Sequence, residues 1–151
     1  MNKFVYRMQG ILTIKQKLEE QAKTAFGTAK MYLMQEEGKL ELLRQKRENY
    51  ISAKQEAMSD RLNLRLIAEM QRGIEAADDQ IEMQKMRVKK AEKAVELAES
   101  RLREAMTDRK TQERLRENAF EQYKREFEAE ERKEVDELVS YTFSSRDEEE
   151  A

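Results

Sequence analysis

From Ile67 onward, side chains at steps of three and four form one series: Ile67, Met70, Ile74, Ala77, Ile81, Gln84, Val88, Ala91, Val95, Ala98, Leu102 and Ala105. Only Gln84 interrupts its apolar character, and Glu, Lys, Arg, Asp and Gln fill the positions between. A repeat averaging 3.5 residues, sustained for about five heptads, holds one helical stripe against a second helix. Charged residues make up 41% of the chain, Gly numbers 4 and Pro is absent. That balance leaves too little apolar material for a sheet protein or a compact α/β enzyme, and almost nothing to punctuate turns.

The first half carries a weaker series: Phe4, Met8, Ile11, Lys15, Leu18, Ala22, Phe26, Ala29, Leu33, Glu36, Leu40, Leu43, Arg47 and Tyr50. Leu18, Ala22 and Phe26 follow at steps of four and four, which reads as a stutter that locally unwinds a supercoil. Gly10, Gly27 and Gly38 each weaken a helix by about 1 kcal/mol relative to Ala. The apolar period lapses after Ser52, and Ser59 or Asp60 is placed to cap a new helix.

The expected fold is all-α: a long two-helix antiparallel coiled-coil hairpin with the C-terminal helix overhanging. The helices are expected over residues 3–55 and 62–140, with a turn at 56–61. The hairpin then fills residues 1–140, and the acidic stretch 141–151 is a flexible tail. The competing architecture is a single unbroken helix that dimerises. A turn centred near Met58 pairs residues whose numbers sum to about 116 or 117. Leu18 then meets Ala98, Ile11 meets Ala105, Leu43 meets Ile74 and Tyr50 meets Ile67, while Phe4 lies opposite Gln112. Nothing in the first helix would cover the chain beyond about residue 113. Phe120, Tyr123, Phe127, Val135 and Leu138 lie past that point, so the aromatics either fold back on Phe4, Val5 and Tyr6 or fill a partner's groove.

Chemistry of its own is not expected. Without His or Cys the chain lacks an imidazole base, a thiolate and the commonest metal ligands. Its carboxylates read as solvated helix faces, so neither a metal nor a cofactor is expected. Balanced charge along the chain argues against nucleic acid, which requires a basic stripe. The apolar runs are far short of the ~20 residues that a spanning helix needs, and residues 1–7 contain no signal-peptide core. A hairpin that satisfies its own seams is expected to be monomeric.

Two segments resemble a known family. Phe4-Val5-Tyr6-Arg7-Met8-Gln9-Gly10-Ile11-Leu12 with Lys15-Gln16-Lys17-Leu18-Glu19-Glu20-Gln21-Ala22-Lys23, and Glu131-Arg132-Lys133-Glu134-Val135-Asp136-Glu137-Leu138 near the other end, are similar to the opening and close of the FliJ flagellar export family. The resemblance implies a non-enzymatic, stalk-like and chaperone-like component of the flagellar type III export apparatus. It implies a cytoplasmic location, peripheral to the inner face of the cell membrane at the flagellar base. The implied partners are the export ATPase FliI (with FliH), the export gate protein FlhA and export chaperones. Positions matching the family's gate-contacting face are Leu43, Tyr50, Leu66, Met70, Gly73 and Ala77. Leu66 and Gly73 lie off the seam and are the members expected to be exposed. For the ATPase the candidates are Phe4, Tyr6, Phe120, Tyr123, Arg125, Phe127, Arg132 and Lys133. The alternatives are a generic coiled-coil spacer and a prefoldin-like holding chaperone, and the latter lacks its β-hairpin signal between Ile51 and Asn63.

Overall fold

The structure is a computed structural model and describes residues 2–59 and 63–150. Two helices account for nearly all of it, α1 over Gln9–Ser59 and α2 over Leu64–Glu150, and the described residues contain no strand. They pack antiparallel as a helical hairpin. Contacts divide the chain into two compact units, Met1–Glu19 with Ala105–Ala151, and Glu20–Glu104.

In the unit of residues 20–104 the buried members of α2 are Ile74, Ala77, Ile81, Gln84, Val88 and Ala91, every one a member of the expected seam. Leu40, Ile81 and Val88 form a core cluster, with Leu33 and Leu43 against it. Polar pairs bridge the helices at intervals. Arg47 Nε donates to Asp78 Oδ1 at 2.5 Å, and Lys54 Nζ donates to Gln71 Oε1 at 2.7 Å. The Gln84 amide donates to both the carbonyl and the carboxylate of Glu36. That carboxylate is held below its ordinary pKa, chiefly by the Gln84 bond and secondarily by Lys39, against the opposing effect of burial.

These pairs correct the register. Arg47–Asp78, Lys54–Gln71 and the Tyr50–Gly73 contact have numbers that sum to about 123–125 rather than 116 or 117, a shift of about one heptad. The expected pairs Leu18–Ala98, Ile11–Ala105, Leu43–Ile74 and Tyr50–Ile67 are therefore displaced. The cause lies in the turn. Helix α1 does not stop at residue 55, because Lys54 is half-buried and Ala57 is buried, which extends the three-four series through an apparent lapse. Asp60, one of the two expected caps, lies outside the described residues. The other, Ser59, instead donates to the Glu56 carbonyl at the end of α1. Asn63 caps α2: its Oδ1 accepts the Leu66 N–H at 3.3 Å and its carbonyl accepts that of Ile67.

The stutter also dissolves. Along α1 the covered positions are Leu12, Lys15, Glu19, Ala22, Phe26, Ala29, Leu33, Glu36, Leu40, Leu43, Arg47 and Tyr50, an unbroken alternation of three and four. Leu12 and Glu19 are seam members, whereas Met8, Ile11 and Leu18 are exposed. Arg109 explains how a carboxylate can occupy a seam position. Its guanidinium donates to Glu19 in the unit of residues 1–19 and 105–151 and also to Glu113 at 2.9 Å, which raises its pKa further.

Residues 2–6 are not helical. This strap alternates, with Phe4 and Tyr6 partly buried and Lys3, Val5 and Arg7 exposed, as an extended segment lying on a surface does. The carbonyls of Tyr6 and Met8 accept the first N–H groups of α1. An extended chain advances ~3.3 Å per residue against 1.5 Å in a helix, so Phe4 passes Gln112 and reaches Phe120. At the other end α2 continues to Glu150, and residues 141–150 are helical where a flexible tail was expected.

Candidate functional site

Within the unit of residues 1–19 and 105–151, the strap meets the aromatic face of α2. The Phe4 ring stands edge-on to Phe120, with centroids 5.2 Å apart and planes at 77°, and lies 5.4 Å from Tyr123. Tyr123 is 6.3 Å from Phe120 and 6.2 Å from Phe127, so the rings form a ladder along one helix face. The Tyr123 hydroxyl donates to the Asn2 carbonyl at 2.8 Å. Arg116 places its guanidinium 5.8 Å from the Phe4 centroid while its Nε donates to Gln9. The Tyr6 hydroxyl reaches Gln112 Oε1 at 3.4 Å. Of the two readings for the aromatics, folding back on the N-terminal residues is what the structure contains.

A groove of about 790 Å³ separates strap and helix, lined by residues 2–8 with Ala119, Gln122, Tyr123 and Glu126. The strap is held on a narrow margin. Burial of the Phe4 ring, which is partial, contributes less than the ~1.5–3 kcal/mol of a fully buried ring, each ring pair about 0.5–1.5 and the hydroxyl bond about 1. Ordering residues 2–6 costs about 1–2 kcal/mol apiece, a sum of the same size.

Beyond Phe127 every described residue of α2 is exposed. The uncovered helix of residues 128–150 is about 35 Å long at 1.5 Å per residue. It carries Val135, Leu138, Val139, Tyr141 and Phe143 in the open, and its polar positions are mostly Glu and Asp. The overhang thus begins after residue 127 rather than 113, because the strap covers the difference. Among the ATPase candidates, Phe4, Tyr6, Phe120, Tyr123 and Phe127 are brought together, whereas Arg125, Arg132 and Lys133 stand exposed on α2.

The gate candidates belong to the other unit. Ala77 is buried, Leu43 packs against the core cluster, and Tyr50 and Met70 are half-buried. Gly73 is not an open contact position as expected, because the Tyr50 ring covers it. A Cβ built there would stand 2.7 Å from Tyr50 Cε1. Leu66 is 37% exposed and is the one candidate of the six that faces out.

Four residues in these contacts were not singled out from sequence: Asn2, Arg116 and the paired Glu19 and Arg109. The pair was hidden because the apolar Leu18, one position away, takes the place of Glu19 in a series read by hydrophobicity. No helix among the described residues is long and apolar enough to cross a membrane. Residues 4–148 match the family described as Flagellar FliJ protein. No curated protein and no solved structure is matched.

Proposed function

The chain belongs to the flagellar FliJ protein family, a non-catalytic component of the flagellar export apparatus, and from that premise we propose that it links the export ATPase FliI, acting with FliH, to the export gate protein FlhA. The observation that supports the ATPase contact is the bare helix of residues 128–150, which continues directly from the aromatic ladder. A helix of this length is marginal in water by itself, so its exposed Val135, Leu138 and Phe143 gain most from a protein surface. Arg125, Arg132 and Lys133 flank that surface and supply charge contacts. No catalytic group is required of this chain: it shifts populations among the states of the ATPase ring by binding some more tightly than others. The gate contact falls to Leu66 first, since Leu43, Tyr50, Met70, Gly73 and Ala77 are occupied with packing. Export chaperones complete the set of partners, and the place of action is the cytoplasmic face of the membrane at the flagellar base.

Removing residues 128–151 tests the ATPase arm. The shortened chain is expected to keep its cooperative melt, because nothing packs on the deleted helix, and to lose stimulation of FliI turnover. Full stimulation by the shortened chain would overturn the proposal.

A further inference from the structure

We propose that the N-terminal strap is a displaceable cover, and that the face it occupies on α2 is a binding surface for a partner that brings its own large apolar or aromatic side chain to the seat of Phe4. This rests on the reading of that end of the chain as the ATPase-binding end. Three observations carry it. Phe120 remains 45% exposed although the strap lies in place, so the cover is incomplete, and an open groove is lined by strap and helix together. Leu138 returns to the helix face of these rings three turns beyond Phe127 and stands uncovered, with Glu130, Glu131 and Glu134 between them. A partner seated on the bare part therefore borders the strap and gains further apolar contact only by lifting it. Finally, the strap is held on α2 through side chains: the Phe4 ring on the ladder, the Tyr6 hydroxyl on Gln112 and the Tyr123 hydroxyl on the Asn2 carbonyl. Release of residues 2–5 leaves the Tyr6 carbonyl on the Gln9 N–H at the start of α1, and both helices intact.

Exchange of Phe4 for a partner side chain makes strap opening part of binding. A partner that needs the open form sees its affinity reduced by the fraction of molecules that are open. Weakening the strap must then tighten binding, whereas a Phe4 that is itself a contact residue or a structural brace would give the opposite result.

The test uses the full chain with the FliI hexamer. Phe4→Ala is expected to bind about tenfold more tightly, the gain when roughly one molecule in ten is open in the parent, with unchanged helicity by circular dichroism. In the converse variant, Val5→Cys with Gln122→Cys, a cleavable bifunctional thiol reagent bridges the groove; the chain has no other cysteine. The bridged form is expected to bind at least about tenfold more weakly and to recover when the bridge is cleaved. If Phe4→Ala binds equally or less well, or bridging has no effect while the parent binds, the cover is disproved and the ATPase reading survives. If neither the parent nor Phe4→Ala binds the hexamer, both ideas fall together.

Discussion

Gly73 shows how little a residue's place in a repeat says about its surroundings. Its missing side chain is the space into which the Tyr50 ring fits, while the same construction at Gly27 and Gly38 meets nothing within 4 Å. Three glycine-to-alanine changes on helices should therefore separate. Gly27→Ala and Gly38→Ala are each expected to raise stability by about 1 kcal/mol, the propensity difference alone. Gly73→Ala is expected to lose about 1–3 kcal/mol to overpacking, less that gain, and urea melts would rank the three. The same reasoning makes Gly73→Asp a poor probe of gate binding, because it moves Tyr50, and leaves Leu66 as the informative position. Glu36 behaves differently again. Its carboxyl is held below the ordinary range by the Gln84 amide, so the folded state gains from its ionised form. That gain is complete above the unfolded pKa, about 4.3, and disappears as pH falls through the lower folded value. The melting temperature of the parent should fall more steeply in acid than that of Glu36→Gln.

At the level of the element, α2 owes its start to one side chain. Asn63→Ala removes the oxygen that accepts the Leu66 N–H and is expected to cost about 1 kcal/mol, read by thermal melting. How much of this was legible in the sequence differs between the helices. The seam of α2 could be read residue by residue from Ile67 to Ala105, because its members are apolar and its flanks charged. The seam of α1 could not, because it contains Lys15, Glu19, Glu36 and Arg47, while Ile11 and Leu18 offer apolar side chains one position away. Following hydrophobicity alone crosses from one row to the next and manufactures a stutter. The turn was misplaced for the same reason: Lys54 and Ala57 look like an end to the series, yet Lys54 is satisfied by Gln71. The strap was hidden because Phe4, four residues before Met8, reads as the head of the helical series, and only its contacts reveal an extended chain. What the aromatic positions touch depended on a register that the wrong turn had shifted.

For the molecule as a whole, family and fold agree: two long helices packed as a hairpin, in a chain that belongs to the FliJ flagellar export family. Apolar layers alone would permit the two helices to pair one heptad out of step, as the Ala-rich middle shows. The polar layers forbid it, since a slip strands Glu36 and Gln84, each at the cost of a buried unsatisfied group, and parts Arg47 from Asp78. Replacing Glu36 and Gln84 together with Leu is expected to raise the melting temperature, as exchange of buried polar pairs for apolar ones often does. Cysteine cross-linking in that variant should then detect a second register that the parent lacks. Within residues 20–104 this has a mechanical meaning. Helices pinned at Arg47–Asp78, Lys54–Gln71 and Glu36–Gln84 resist shearing along their length, so a push or twist applied to one is handed to the other rather than dissipated by slippage.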